Sequence, residues 1–202
     1  MRLSPSDLLQ SLRIARVECA FIDIAENAGA HLLGDRRGFI HLCTEGKAFI
    51  DNGGSTEPIV LEAGDYCIQL GLGAPRICSS PDRRSRQSEF FRTPSSLDTP
   101  PVLRFGTGPR VTQVLSGAFH VTTVNPIMRA LPRTIVVRKA DMAEPGYLAM
   151  AADDIARTAQ GPGGAAFMTC TFDILFMQAA RAQIVGQIRN GLDVGSAVDR
   201  VR

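Results

Sequence analysis

The residues best suited to chemistry lie in one stretch, GFIHLCTEGKAFIDNGGSTEPIVLEAGDY, which runs from Gly38 to Tyr66. His41 precedes Glu45 by four residues there, and an imidazole with a nearby carboxylate can supply two ligands of a transition metal. The pair is therefore either half of a metal site or the remains of one. His31 and His120 have no metal-ligand spacing to another histidine, so we expect each of them to be exposed or hydrogen-bonded.

Other catalytic patterns are weak. The chain contains neither a Gly-x-Ser-x-Gly elbow nor a phosphate-binding glycine loop. Asp153 and Asp154 fall on a predicted amphipathic helix, where two adjacent carboxylates favour a solvated face over an acid/base pair. The five cysteines are widely spaced, without a C-x-x-C pair, which indicates reduced thiols. Cys43 and Cys67 lie in apolar runs and are expected to pack as small buried hydrophobes.

Composition sets the broad class. A chain of 202 residues with 45% hydrophobic and 21% charged residues is typical of one soluble globular domain, with or without an appendage. The 22 basic and 20 acidic residues give a net charge of +2, so no concentrated basic face for nucleic acid is expected. The sequence shows neither a signal-peptide pattern at its start nor eighteen consecutive apolar residues. We expect a cytoplasmic protein without a membrane partner.

The elements that must position His41 are predicted to be short strands. Alternating apolar residues predict a strand over 15–25, whose later half is expected to be buried on both faces. Turn residues divide the next region into four further strands, and Asp51 to Gly54 (DNGG) signals a hairpin. Gly117 is expected to break a bulged strand or hairpin. The segments 26–38 and 79–101 are predicted to be loops. The further predicted strands cover 39–43, 47–51, 57–62, 65–70, 110–123 and 134–137.

Helices are predicted at both ends of the chain. A capping pattern predicts an opening helix from Ser4, and a three- and four-residue period predicts helices over 146–160 and 165–190, separated by GPGG at 161–164. The last helix is apolar most of the way round, so it must bury a second face. Either a partner subunit or deep packing within the chain would satisfy that requirement.

Three segments in order carry a family resemblance: FIHLCTEGKAFI…EPIVLEAGDYCIQL, LSGAFHVTTVNPIMRALPRTIVVR and DILFMQAARAQI. Together they are similar to the cupin-type ligand-binding domain of AraC-type transcription regulators, over about Leu3 to Asn190. The resemblance implies a mainly β fold, a double-stranded β-helix or jelly-roll barrel over 1–142, with a helical dimerisation segment over 143–202. It also implies a small effector bound in the barrel. Members of the family continue into a domain with two helix-turn-helix units, for which no segment after Asn190 is suited, so no direct DNA binding is expected.

The resemblance also bears on the metal question. In metal-binding cupins two histidines one residue apart precede a glutamate, and a further histidine follows a later turn. Aligned with that pattern, His41 and Glu45 match, but Phe39 and Arg76 take the places of the other two histidines. Half of the ligands are missing, and a cation would oppose a divalent ion. We therefore expect no metal, no other cofactor and no catalytic residue.

The binding site predicted instead is the barrel interior. Phe39, His41 and Cys43 should point inward together, and Arg76 could add a cation, which would suit a small organic acid. The alternative is a barrel filled by its own side chains. The predicted function is an effector-binding and dimerisation domain of an AraC-type regulator, as a homodimer or as a heterodimer with a full-length regulator. A metal-dependent cupin enzyme, of dioxygenase or isomerase type, is the rival. The predicted dimer contacts are Phe172, Leu175, Phe176 and Ala179.

Overall fold

A computed structural model describes residues 14–33, 38–51, 57–71, 75–81, 87–90, 99–121, 131–143 and 151–189. The predicted opening helix and the DNGG turn itself lie outside these residues, apart from Asp51. In the described part of the chain, eleven strands precede a 3-10 turn and two helices. Their bounds are β1 Ile14–Ala25, β2 Gly29–Leu33, β3 Gly38–Glu45, β4 Lys47–Asp51, β5 Ile59–Glu62, β6 Tyr66–Gln69, β7 Arg76–Cys78, β8 Gln87–Phe90, β9 Val102–Phe105, β10 Arg110–Val121, β11 Thr134–Val137, the 3-10 turn Asp141–Ala143, α1 Ala152–Ala159 and α2 Gly164–Arg189.

The strands form two sheets. The six-stranded sheet has the order β11-β6-β3-β10-β1-β9, and the five-stranded sheet has the order β5-β4-β7-β2-β8. Most pairs are antiparallel, whereas β9 lies parallel to β1 and β8 lies parallel to β2. The predicted hairpin is present as the antiparallel pair of β4 and β5, with Ile50 opposite Ile59. The prediction of a mainly β fold with C-terminal helices is confirmed.

Each face of the six-stranded sheet covers a different core. The alternation of β1 shows the division, because Ala20, Ile22 and Ile24 face the other sheet, while Cys19 and Phe21 face the helices. We call the apolar cluster between the sheets the inner core. It comprises Ala20, Ile22, Ile24, Ala30, Leu32, Phe39, Cys43, Ala48, Ile50, Leu61, Cys67, Ile77, Phe105, Val114 and Ala118. The outer core is the second cluster, between the six-stranded sheet and the helices.

Two predicted loops contain strands. The segment 26–38 holds β2, and the segment 79–101 holds β8, which pairs with β2 along Ala30 to Leu33. Both strands are short, and their backbone hydrogen bonds depend on neighbours distant in sequence. Tertiary pairing therefore overrides the local turn and polar signals.

The predicted break in the strand around Gly117 is wrong. β10 is one strand from Arg110 to Val121, its pairing with β1 is irregular near Thr112 and not at Gly117, and Gly117 lies where α2 crosses the sheet. A Cβ atom built on Gly117 would lie 2.3 Å from a ring carbon of Phe172. The glycine therefore admits an aromatic ring to the sheet surface, which is a packing role that the local sequence does not show.

The residues predicted to form a dimer contact are instead buried within the chain. Phe172, Leu175, Phe176 and Ala179 of α2 are at most 2% exposed and belong to the outer core. The physical reason is that the outer face of the six-stranded sheet is itself apolar, so a helix of the same chain must cover it. For these four residues, deep packing is the arrangement that the structure shows. Over the described residues, neither helix has the length and apolar character needed to cross a bilayer.

Candidate binding site between the sheets

The predicted inward face of β3 lies between the two sheets. Phe39 and Cys43 belong to the inner core, and His41 lies between them on the same face of the strand. Ile40 and Leu42 point to the outer core. The alternation of the strand therefore places the three side chains as the sequence predicts, and their role as ligand contacts remains a prediction.

His41 is completely buried. Its Nδ1 atom lies 2.9 Å from Ser116 Oγ, on the neighbouring strand β10, and its ring stacks on Phe39 with a centroid distance of 6.0 Å. The other ring nitrogen, Nε2, has no hydrogen-bond partner among the described residues. A buried polar atom without a well-formed hydrogen bond costs about 1–3 kcal/mol of stability.

Burial also decides the charge of His41. Removal from water lowers the pKa of the imidazole to about 4, and a side-chain interaction with Gln69 that favours the charged form only partly opposes this effect. The ring is therefore neutral at physiological pH. A neutral imidazole offers one donor and one acceptor. Nδ1 lies close to Ser116 Oγ, and Nε2 has only a loose contact with the Gln69 amide rather than a well-formed hydrogen bond.

Gln69 is the second polar side chain of this site, and sequence reasoning missed it. It stands opposite Phe39 in the pairing of β3 with β6, and it is buried. Neither its Oε1 nor its Nε2 atom has a well-formed hydrogen bond among the described residues. The alternation of DYCIQL could have identified Gln69, because it lies two residues beyond Cys67, which faces the inner core.

Ser116 was missed for a different reason. It is a single buried hydroxyl in the apolar strand β10, opposite His41 on one side and Ala20 on the other. Only the strand register reveals this neighbourhood, since the serine and the histidine are 75 residues apart. We call His41, Gln69 and Ser116 the polar triad of the inner face.

Arg76 lies outside the interior, which corrects the predicted cation. Its side chain is exposed, while the next residue, Ile77, is buried in the inner core. Alternation along β7 allows only one of two adjacent residues to face inward. More generally, every arginine and lysine whose side chain the structure describes is exposed.

Two carboxylates lie on the inner side near opposite ends of the sheet. Glu18 is half-buried and stands opposite Ala118, an inner-core residue. Asp65 is buried and forms an ion pair with Arg138 at 2.8 Å. Burial opposes ionisation of Asp65, but the N–H of Lys139 and the Arg138 side chain donate hydrogen bonds that outweigh burial and hold its pKa below the usual value.

The structure also answers the question raised by His41 and Glu45. Glu45 is exposed and forms an ion pair with Arg110, whereas His41 is buried between the sheets. Their side chains therefore do not converge on one point. Among the residues described, no group of three or more histidine, cysteine, aspartate or glutamate side chains has an arrangement suited to a metal ion. His41 and Glu45 are therefore not brought together as a pair of ligands in the described part of the chain.

The thiols of Cys43 and Cys67, in the inner core, are expected to be unreactive. Burial raises the pKa of Cys43 to about 11, and burial also raises the pKa of Cys67, which is fully enclosed. Both groups remain protonated at neutral pH, and a thiol is a poor nucleophile compared with a thiolate. Cys43 and Cys67 therefore act as apolar walls beside the polar triad, as their strand context predicts.

Comparison with known proteins gives one family and two distant structures. A family model described as a cupin matches residues 6–184. A search of curated protein sequences finds no significant match. Apo ToxT from Vibrio cholerae, a substituted variant, is 9% identical with a TM-score of 0.46, over 85% of this chain and 58% of that one. Wild-type ToxT from Vibrio cholerae with bound unsaturated fatty acid is 9% identical with a TM-score of 0.35, over 83% and 55%.

This chain thus spans less than two thirds of the length of either ToxT structure. The family match, in contrast, covers most of the chain, including both sheets and most of α2. Its extent agrees with the resemblance carried by the three sequence segments. The chain therefore belongs to the cupin family, in the AraC-type branch that those segments indicate.

Proposed function

We propose that this chain is a non-catalytic effector-binding domain of an AraC-type regulator, which holds a small organic molecule between its two sheets. The observation that carries the proposal is the polar triad. Three buried atoms, His41 Nε2 and both polar atoms of the Gln69 amide, lack well-formed hydrogen bonds among the described residues and lie within an apolar core, where the two side chains make only a loose contact with each other. Apolar walls with a few convergent polar groups are typical of small-molecule sites.

Phe39 and Cys43 are the proposed walls, and His41 is the proposed polar contact. A bound molecule that supplies hydrogen bonds to the triad would remove the cost of leaving these atoms unpaired. The ligand would thereby stabilise the folded state in which β3, β6 and β10 are aligned. This coupling gives an effector a means to shift the populations of two domain arrangements.

The Ser116–His41 contact does not favour catalysis. Acyl transfer by a serine needs a base of suitable pKa and donors for the developing oxyanion. The pKa of His41 is far below neutral because the ring is buried, which makes it a weak base. Ser116 also lies on a strand paired on both sides, so its backbone belongs to the sheet ladder. The pair is better suited to holding a ligand than to attacking one.

Native mass spectrometry of the protein purified from cells, followed by a thermal-shift screen of small organic compounds, tests the binding proposal. A removable adduct below about 500 Da, or a compound that raises the melting temperature, is expected because a ligand specific for the folded state stabilises it. A matched variant, Gln69→Leu, should lose the response. A bound transition metal with turnover of a substrate would support the enzyme instead.

We also propose that the outer surface of α2 joins two copies of the chain. The four residues predicted from sequence are buried, but the opposite side of the helix still carries apolar side chains. Cys170, Ile174 and Val185 are exposed there, and they follow the four-residue spacing of one helix face within a residue. A second copy would cover this surface, as the resemblance to dimeric AraC-type regulators implies.

Light scattering of the wild-type protein and two variants tests the dimer proposal. Ile174→Asp places a charge at the centre of the exposed face and should shift a dimer to a monomer without unfolding it. Val102→Asp makes the same chemical change at an exposed valine of the edge strand β9, and it should leave the dimer intact. A wild-type protein that remains a monomer at high concentration would contradict the proposal.

A further inference from the structure

We infer that a cavity at one end of the six-stranded sheet binds a small zwitterion, such as a free amino acid, between Asp23 and Arg104. The cavity has a volume of about 310 Å³, and its walls include Asp23, Arg104, Arg110 and the glycines of the turn between β9 and β10. None of the polar triad lines this cavity, so the inference does not depend on the proposed function.

The register of three neighbouring strands brings the charged side chains together. Arg104 of β9 and Gln113 of β10 stand opposite Asp23, on the two sides of β1. Asp23 follows Phe21 by two residues and therefore points to the same face of the sheet, which is the face that carries the outer core. Asp23 and the polar triad thus lie on opposite faces of the sheet.

The carboxylate of Asp23 has one oxygen that is well bound and one that is not. Oδ1 accepts a hydrogen bond from Gln113 Nε2 at 2.9 Å and a second, longer one from Arg110 Nη1 at 3.4 Å. Oδ2 lies 3.9 Å from Arg104 Nε, which is too long for a hydrogen bond. Asp23 is only 8% exposed, so a donor that enters the cavity would supply Oδ2 with a bond that the described residues leave open.

Arg104 supplies the opposite charge. Its side chain is exposed, and among the described residues the long contact with Asp23 is its only ion pair. A guanidinium group carries five N–H donors in a planar fork that matches the two oxygens of a carboxylate. Because an exposed ion pair of this length stabilises the protein little, Arg104 can turn toward a ligand carboxylate at small cost.

The charges of the cavity favour a ligand that carries both signs. Arg110 is already engaged with two carboxylates, since one of its nitrogens pairs with Asp23 and another with Glu45. A simple anion would be repelled by Asp23, and a simple cation by Arg104. A zwitterion instead places its ammonium group on Asp23 Oδ2 and its carboxylate on Arg104. The separation of 3.9 Å between these groups suits an α-amino acid, because its two charged groups are attached to one carbon atom.

The size of the cavity favours a single amino acid over a peptide. Its volume of about 310 Å³ lies at the lower end of the roughly 300–1,000 Å³ that is typical of small-molecule sites. The turn keeps this space open, because Gly106 and Gly108 have φ angles of 84° and 123°, which residues with a side chain rarely adopt. A Cβ atom built on Gly108 would meet no atom within 4 Å.

Amide NMR spectra of the isotope-labelled protein test the inference. Each of the common L-amino acids is added near pH 7, where its ammonium and carboxylate groups are both charged. At least one is expected to shift the amide signals of Gly106 and Gly108. The amine and the acid that each lack one of its charged groups, which for L-alanine are ethylamine and propanoate, should bind at least about tenfold weaker, since each loses a charge-assisted interaction.

Two arginine variants assign the binding to the proposed atoms. Arg104→Gln, at an exposed position, should weaken amino-acid binding at least about tenfold without unfolding the protein. The same variant should bind the matching amine no more weakly than the wild-type protein does, because it removes a repelling charge. Arg76→Gln makes the same chemical change at an exposed arginine of the other sheet and should have no effect.

Four results would overturn the inference. They are the absence of a shift at Gly106 and Gly108 with every amino acid, binding of propanoate or inorganic phosphate as tight as that of the amino acid, equal affinities of the wild-type protein and Arg104→Gln, and loss of amino-acid binding in Gln69→Leu. The last result would place the ligand at the polar triad, on the opposite face. It would therefore support the proposed function while contradicting this second site.

Discussion

The two faces of the six-stranded sheet differ in how well their buried polar side chains are hydrogen-bonded. On the outer face the fully buried Tyr66 donates its hydroxyl hydrogen bond to the carbonyl oxygen of Leu175, at 3.2 Å. On the inner face Gln69, equally enclosed and three residues further along β6, has no well-formed side-chain hydrogen bond among the described residues. One strand thus presents a satisfied polar group to the helices and an unsatisfied one to the space between the sheets.

The outer face is packed in a way that favours the stability of the fold, whereas the inner face contains buried polar groups that reduce this stability. Aromatic rings and aliphatic side chains fill the outer core, including the tilted pair Phe119 and Phe176 with centroids 5.6 Å apart. The inner core surrounds the polar triad with apolar residues. Unpaired buried groups are rare in folded proteins and call for an explanation. A ligand-binding role on the inner face provides that explanation.

The largest expected effect concerns the outer face. Phe176→Ala should lower the free energy of unfolding by about 3–5 kcal/mol, because it removes a completely buried ring and leaves a cavity. Ile174→Ala, two residues away but exposed in the single chain, should cost below about 1 kcal/mol at concentrations where the protein is monomeric. Urea denaturation of both variants measures the contrast. Equal losses would show that α2 does not distinguish a buried from an exposed side.

The pH dependence of stability probes the inner face. The pKa of His41 is about 4 when folded and about 6.5 in an unfolded chain. Between these values the unfolded state binds more protons, so stability rises with pH through this window and is lost as pH falls. The contribution of His41 is about 3 kcal/mol above pH 6.5 relative to below pH 4.

Denaturation curves from pH 4 to 7 measure this slope in the wild-type protein and in His41→Leu. The other titrating groups are common to both proteins, so the difference between the curves isolates His41. We expect the variant to lose the stability gained between about pH 4 and 6.5. Parallel curves would show that His41 remains hydrated or charged in the folded state.

Glycine substitutions test the contact between α2 and the sheet. Gly117→Ala should cost about 1–3 kcal/mol, because the new methyl group would overlap the Phe172 ring. Gly186→Ala, in open space within α2, should instead stabilise the protein by up to about 1 kcal/mol through helix propensity. Thermal denaturation compares the two variants. Stabilisation by both would mean that the ring does not rest on Gly117.

The smallest expected changes in the free energy of unfolding come from one polar side chain on each face, and they are expected to differ in sign. Tyr66→Phe should cost about 1 kcal/mol, since it removes the hydrogen bond to the Leu175 carbonyl. Gln69→Leu should leave the ligand-free protein unchanged or about 1 kcal/mol more stable, since it removes two buried polar atoms that lack well-formed hydrogen bonds. Chemical denaturation of ligand-free samples gives both values. Destabilisation by Gln69→Leu would indicate hidden hydrogen-bond partners and would weaken the case for a binding site.

Much of the fold was predictable because the signals were local. The two-sided burial of β1 follows from its alternation, and the end of α1 and start of α2 follow from the glycines at 161–164. β2 and β8 were not predictable, since their pairing depends on partners far along the chain. In the candidate site, strand alternation correctly predicted that Phe39, His41 and Cys43 point inward. The motif alignment wrongly predicted that Arg76 of β7 points inward, whereas the inward residue is its neighbour Ile77.

By itself, the sequence determined the class of fold, the inward face of β3 and the extent of the long helix, because periodicity and turn residues act over a few positions. Tertiary structure alone decided what those surfaces meet. It brought Ser116 to His41 across 75 residues, left Gln69 without a well-formed side-chain hydrogen bond among the described residues and turned Phe172 and Phe176 toward the sheet. Partners of a side chain depend on strand register and helix rotation, and these are set by the packing of the whole domain.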